Sequence, residues 1–173
     1  FGMYSFDAAV NGAETIVIER KDDFTLDLEA IVEAVSIHSP KMLFLASPNN
    51  PDGGLISDEE LRTLLALPMI VILDEAYIEF AGIEKSRLDW VLEHANLIVL
   101  RTFSKWAGLA GLRVGYGAFS TGLLQELWKI KQPYNVSVAA TEAALVSLSD
   151  SSNILQVVSE IRLERKRLSQ MLG

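Results

Sequence analysis

The amino-acid sequence predicts an α/β fold of three layers, α/β/α, in which helices cover both faces of a mostly parallel sheet. Short apolar runs alternate with amphipathic stretches along the chain, which is the order that βα units produce. The apolar runs are nearly continuous in Val, Ile and Leu, as is typical of strands buried on both faces. Because ligands of such folds lie at the carboxyl ends of the parallel strands, we expect the functional residues there.

The first half of the chain begins with a predicted strand at residues 16–18 (IVI) and a predicted helix at residues 28–35. A second strand is predicted at residues 42–46 (MLFLA), and the turn-rich sequence SPNNPDGG ends it. The next helix, residues 57–67, starts with a capping-box pattern, because a serine is followed three positions later by a glutamate.

The second half continues the alternation. Apolar runs predict strands at residues 69–73 (MIVIL), 97–100 (LIVL) and 114–118, and a helix is predicted between the first two, at residues 86–94. The last part, residues 122–172, is predicted to be helical, with one break near a proline and another at the sequence DSS.

The composition restricts the kinds of function. The chain has 173 residues, enough for one domain or a large piece of one, and 50% of them are hydrophobic. A formal net charge of −8 disfavours nucleic-acid binding, because a phosphate backbone is bound by clusters of Lys and Arg. The absence of cysteine excludes disulfides and thiolate metal sites. No apolar run reaches the roughly 18 residues that span a bilayer, so we expect neither nucleic acid nor a membrane as a partner.

Five polar side chains follow the predicted strands, and each has an ordinary structural explanation when it is considered alone. Lys105 comes soon after a strand, where a lysine is usually a surface residue. Asp74 ends a strand and would serve there as a solvated acid or a helix cap, while Tyr77 would be a core aromatic with a satisfied hydroxyl. Asn50 lies in a turn that favours asparagine on conformational grounds, and Arg113 would be a strand-edge cation.

Together these residues fit the requirements of pyridoxal 5'-phosphate (PLP). The aldehyde of PLP reacts with an amine, which Lys105 supplies. The pyridine nitrogen must stay protonated, and the carboxylate of Asp74 supports that charge. Hydrogen-bond donors for the ring oxygen O3' are available from Tyr77 and Asn50. The phosphate needs hydroxyl donors and a cation, for which the candidates are Thr102, Ser104 and Arg113.

Three sequence motifs connect this interpretation to a known family. SPNNPDGG, LDEAYIEF and RTFSKWAGLAGLRVGY, in this order and spacing, resemble the fold-type I PLP-dependent aminotransferases. Within that family, the segments FGMYSFDAAVNGA, DEAYIEF and KQPYNVSVAA are similar to the histidinol-phosphate aminotransferases of plants and some bacteria. The resemblance covers essentially the whole chain, and it implies an incomplete PLP-binding large domain of fold type I.

The resemblance also implies a role for each candidate residue. Lys105 would form the Schiff base with PLP and move the substrate proton, and Asp74 would pair with the pyridine nitrogen. Tyr77 and Asn50 would hydrogen-bond to O3'. Phe1 occupies the position at which family members place an aromatic ring over the pyridine. The residues implied for the phosphate are Thr102, Ser104 and Arg113.

The resemblance implies transfer of an amino group between L-histidinol phosphate and 2-oxoglutarate in histidine biosynthesis, by a homodimer with its site at the subunit interface. Residues 1–152 would form part of the large domain, and residues 153–173 a helix leading toward a small domain that the chain lacks. The expected location is the cytoplasm, or the plastid for a plant or alga. The alternatives are an aromatic aminotransferase, a threonine-phosphate decarboxylase, or a non-catalytic fragment that only folds or dimerises.

Overall fold

The centre of the molecule is a four-stranded sheet, seen in a computed structural model that describes residues 2–172. Its strands are β1 (Met42–Ala46), β2 (Ile70–Asp74), β3 (Leu97–Thr102) and β4 (Gly115–Ala118), and they lie side by side in that order. The first three strands run parallel, and β4 runs antiparallel to β3. The predicted α/β fold with a mostly parallel sheet is therefore confirmed.

Seven α-helices accompany the sheet within the described part of the chain. They are α1 (Met3–Val10), α2 (Leu28–His38), α3 (Asp58–Leu65), α4 (Ile78–Ala81), α5 (Thr121–Ile130), α6 (Val138–Ser149) and α7 (Ser152–Leu172). The capping box predicted for α3 is present, since the backbone N–H of Glu60 donates to the Ser57 hydroxyl over 3.2 Å and the Glu60 carboxylate accepts from the Ser57 N–H over 2.8 Å. None of the helices in residues 2–172 is both long and apolar enough to cross a membrane.

The main hydrophobic core lies on one face of the sheet. Leu45, Leu73 and Val99 stand in register on neighbouring strands, so their side chains project to the same face, where α2 and α3 pack on them. The opposite face carries Phe44, and Tyr4 of α1 stacks on its ring with 4.9 Å between the centroids. Helices therefore lie on both faces, as the three-layer prediction requires.

The predicted strand at residues 16–18 is wrong. The segment pairs with no strand within residues 2–172. Apolar residues favour an extended backbone, but a strand exists only where a neighbour completes the hydrogen-bond ladder. Here Ile18 packs at the margin of the core and Val17 is exposed to solvent, so the segment lies outside the sheet.

The predicted helix at residues 86–94 is also wrong as an α-helix. The segment instead contains a 3₁₀ helix, Leu88–Leu92. Its start is fixed by tertiary contacts, because the Arg87 backbone N–H and the Ser86 hydroxyl both donate to the carboxylate of Glu75, each over 2.6 Å. Short connectors of this kind are a common place for 3₁₀ helices.

Candidate active site

The carboxyl ends of β1, β2 and β3 meet at one edge of the sheet because the three strands are parallel. Ala46, the last residue of β1, lies opposite Asp74, the last residue of β2. The segments that leave these ends carry three of the predicted site residues, namely Asn50 after β1, Tyr77 after β2 and Lys105 after β3. The fold thus places residues that are far apart in the sequence within one region.

The Asp74 side chain is half-buried and held on both of its oxygens. Its Oδ1 accepts a hydrogen bond from the backbone N–H of Ala76 over 3.0 Å. Its Oδ2 accepts a short hydrogen bond from the phenol of Tyr4. These two hydrogen bonds hold the Asp74 carboxylate at the edge of the sheet.

Tyr4 is a site residue that the sequence interpretation did not identify. Burial raises the pKa of its phenol, and the hydrogen bond to Asp74 and the negative charge of that carboxylate raise it further. The phenol therefore stays protonated and remains a donor to Asp74 at neutral pH. The two residues are 70 positions apart, and the only signal in the sequence was the position of Tyr4 three residues after the candidate Phe1.

Lys105, Tyr77 and Asn50 form a second group at the same edge of the sheet. The Lys105 Nζ lies 5.2 Å from the centroid of the Tyr77 ring, which is the geometry of a cation–π contact. The Asn50 side-chain amide lies 3.5 Å from the Tyr77 hydroxyl. Within residues 2–172 the Lys105 amine makes no ion pair and no hydrogen bond. The amine is therefore presented to solvent with only an aromatic face beside it.

A compact turn after β3 presents Lys105. The Thr102 hydroxyl accepts a hydrogen bond from the Ser104 backbone N–H over 3.0 Å, which folds the chain away from the strand. Gly108 closes the turn by donating from its N–H to the Lys105 carbonyl over 3.3 Å, and it does so with a φ of 67°, a conformation that glycine adopts at little cost. The side chains of Thr102 and Ser104 are both half-buried here.

Two of the predicted site residues, Arg113 and Phe1, are not placed with the other candidate site residues. Arg113 is exposed, and its guanidinium donates to the carbonyl of Ala110 over 2.8 Å. No hydrogen bond joins Arg113 to Thr102 or Ser104 in the part of the chain that the structure describes. Phe1 lies outside the described residues.

The chemistry of this edge suits PLP better than it suits a metal ion. In residues 2–172 no group of three or more His, Cys, Asp or Glu side chains is arranged to hold a metal. This edge instead carries an amine that has no polar partner among the described residues (Lys105), a fixed carboxylate (Asp74) and a phenol beside an amide (Tyr77 and Asn50). An aromatic aldehyde with a basic ring nitrogen and an ionised ring oxygen matches these three chemical types. The residues present therefore fit the cofactor that the resemblance implies.

Two relatives that are both histidinol-phosphate aminotransferases match almost the whole chain. The chloroplastic histidinol-phosphate aminotransferase of Nicotiana plumbaginifolia is 57% identical over 172 residues, which are 99% of this chain and 41% of the relative. The histidinol-phosphate aminotransferase of Roseiflexus castenholzii is 52% identical over 173 residues, which are 100% of this chain and 46% of the relative. The chain thus spans less than half the length of these two relatives.

A solved structure and a family model agree with these similarities. The crystal structure of histidinol-phosphate aminotransferase from Sinorhizobium meliloti, in complex with pyridoxal-5'-phosphate, superposes with a TM-score of 0.88 at 30% identity and covers 98% of this chain and 47% of that chain. The family model for aminotransferase class I and II, whose members use PLP, matches residues 1–173. The chain belongs to the class I and II aminotransferases.

Proposed function

We propose that this chain is the cofactor-bearing part of a PLP-dependent aminotransferase, which as a whole transfers an amino group between L-histidinol phosphate and 2-oxoglutarate in histidine biosynthesis. The observation that carries the proposal is the meeting of Lys105, Asp74 and Tyr77 at one edge of the sheet. The substrate is supported by 57% identity to a histidinol-phosphate aminotransferase.

Lys105 and Asp74 carry the central steps of the proposal. PLP, when bound, supplies an electron sink for the negative charge that develops on the substrate's α-carbon. Lys105 would hold the cofactor aldehyde through Nζ, and its free amine would later move the proton of the substrate's α-carbon to C4', the carbon of the cofactor aldehyde. Among the described residues no carboxylate forms an ion pair with the Lys105 amine, so Nζ is available for both tasks. Asp74 holds a proton on the ring nitrogen, and Tyr4 and Ala76 hold the Asp74 carboxylate in place.

The remaining candidates bind and orient the cofactor. Tyr77 and Asn50 donate hydrogen bonds to O3', a role supported by the proximity of their polar groups. The resemblance implies for Phe1 an aromatic contact with the ring, a role that stays a prediction. The Arg113 guanidinium, which here donates to the Ala110 carbonyl, would pair with the phosphate, and the hydroxyls of Thr102 and Ser104 would bind it as well.

The organisation of the whole enzyme is part of the same proposal. Residues 1–152 are part of the large domain, and residues 153–173, most of which lie in α7, lead toward a small domain. Two copies of the complete protein form a homodimer with the site at their interface. The enzyme works in the cytoplasm, or in the plastid if its source is a plant or alga, a location supported by the chloroplastic relatives.

The proposed function is tested by a comparison of amino donors with the full-length protein. We expect the catalytic efficiency kcat/KM with L-histidinol phosphate to exceed that with phenylalanine or aspartate by about 10⁴, because a site with a cation for the substrate phosphate rejects substrates that leave it unpaired. A preference for phenylalanine would favour an aromatic aminotransferase. Release of carbon dioxide from threonine phosphate, without transamination, would favour a decarboxylase. Either result would refute the proposed reaction.

A further inference from the structure

A cluster of charged side chains is buried behind the candidate active site. Glu75 is 1% exposed, Glu79 is 8% exposed and Arg101 is 7% exposed. Charged side chains are rarely buried to this extent unless they are paired. The cluster joins three elements, since Glu75 follows β2, Glu79 belongs to α4 and Arg101 lies near the end of β3.

The cluster and the candidate site lie on opposite faces of the same sheet edge. Successive side chains of a strand point to opposite faces. Glu75 directly follows Asp74 and continues the alternation, so its side chain points to the face opposite that of Asp74. Arg101 precedes Thr102, and the same alternation separates their side chains. Each strand end thus carries a site residue on one face and a member of the cluster on the other.

One guanidinium connects the members of the cluster. The Nη2 of Arg101 donates to Glu79 over 2.5 Å, and its Nη1 lies 3.5 Å from Glu75. Glu75 is held further by the Ser86 hydroxyl and the Arg87 backbone N–H, each at 2.6 Å. The ends of β2 and β3 are also linked directly, by the hydrogen bond from the Glu75 N–H to the carbonyl of the residue before Arg101, over 2.9 Å.

Stability alone does not explain this arrangement. Burial raises the pKa of Glu75, which shows that the carboxylate is costly to ionise at this position. The Nε of Arg101 and one oxygen of Glu79 are buried without a hydrogen-bond partner among the described residues. Buried ion pairs are often no more stabilising than apolar side chains of the same volume. What the cluster does fix, through the forked guanidinium, is the separation and orientation of the strand ends.

We propose that Arg101, held by Glu79 and Glu75, is a positioning residue that sets the distance between the Asp74 carboxylate and the turn that presents Lys105. This inference rests on the function proposed above and assigns to it residues that touch neither cofactor nor substrate. A shift of the β3 end would move Lys105 relative to Asp74, and an error of about 1 Å in such a constellation costs up to a hundredfold in rate.

The test separates positioning from stability by means of an uncharged variant of the full-length protein, Glu75→Gln/Glu79→Leu/Arg101→Met. Its matched control removes an exposed Glu–Arg pair on α7, by Glu164→Leu/Arg167→Met. The measurements are the denaturation midpoint of the cofactor-free protein, the pH titration of the visible absorbance of bound PLP, and kcat and KM.

We expect the uncharged variant to keep its denaturation midpoint. The pH midpoint of its cofactor absorbance should shift by about one unit, because Lys105 and Asp74 act on the same ring system. Its kcat should fall by about tenfold or more with little change in KM, and the control should show none of these changes. A folded variant with a wild-type absorbance titration and wild-type kcat would overturn the proposal.

A second variant decides the question if the uncharged variant does not fold. Arg101→Lys keeps the charge but cannot span two carboxylates, because an ammonium lacks the forked donors of a guanidinium. It should show the same shift in the absorbance titration and the same loss of kcat, and wild-type behaviour would overturn the proposal. Failure of the proposed reaction would appear differently, as a preference of the wild-type protein for phenylalanine or as decarboxylation of threonine phosphate, and neither result depends on Arg101. A wild-type protein with no visible PLP band would overturn both proposals.

Discussion

Removal of the Tyr4 hydroxyl should weaken the protein at the point where α1 meets the sheet. Tyr4→Phe deletes the hydrogen bond to Asp74 but keeps the ring that stacks on Phe44 with 4.9 Å between the centroids. A hydrogen bond to a charged group contributes about 1.5–3 kcal/mol. Because Tyr4 and Asp74 are only half-buried, water compensates part of the loss. We therefore expect the free energy of unfolding to fall by about 1.5 kcal/mol, at the low end of that range.

The assay is urea denaturation of the cofactor-free full-length protein. Tyr134→Phe is the control, because Tyr134 is 98% exposed, and its free energy of unfolding should match the wild type. Tyr4→Ala removes the ring contact as well and should cost about 1 kcal/mol more than Tyr4→Phe. If Tyr4→Phe is as stable as the wild type, the hydroxyl does not hold Asp74 and the described geometry does not contribute to stability.

Three further predictions concern the Asp74 carboxylate, the buried carboxylate of Glu75 and the cap of α3. Asp74→Asn should keep the fold but lower the single-turnover rate of the full-length enzyme by several orders of magnitude, each factor of ten being about 1.4 kcal/mol of transition-state stabilisation; a wild-type rate would make Asp74 a simple strand-end acid. Burial raises the pKa of Glu75, so the folded protein binds this proton more tightly and its stability falls as the pH rises through the raised value. In denaturation measurements, Glu75→Gln should therefore reduce the decrease in the free energy of unfolding as the pH rises from acid to neutral. An unchanged dependence of this free energy on pH would contradict the pKa shift. Ser57→Ala should lower the free energy of unfolding by about 1 kcal/mol, since it removes the cap of α3, and thermal melting that matches the wild type would show the cap to be without effect.

The sheet could be predicted from the sequence because its signal is local. β1 is apolar throughout, and β2 and β3 are apolar up to Asp74 and Arg101, as expected of strands covered on both faces. The carboxyl ends of these strands then indicated where Asn50 and Asp74 lie, since parallel strands end at a common edge.

The features that sequence reasoning missed depend on contacts between distant segments. Tyr4 reaches Asp74 across 70 residues, and α1 has no side-chain cap at its start to mark it. The apolar segment at residues 16–18 looked like a strand because an apolar run cannot reveal whether a neighbouring strand is present. The buried pairing of Arg101 with Glu79 could not be predicted either, because a charged residue is expected at the surface unless its partner is known.

The most direct test of the account is to find which lysine holds PLP. Borohydride reduction of the PLP-loaded full-length protein should fix the cofactor covalently, and mass spectrometry of the peptides should find it on Lys105. Lys105→Ala should lose both the visible PLP absorbance and the labelled peptide while keeping its fold, whereas Lys21→Ala, which removes an exposed lysine, should retain both. A labelled peptide that does not contain Lys105, or undiminished labelling in Lys105→Ala, would contradict the central claim.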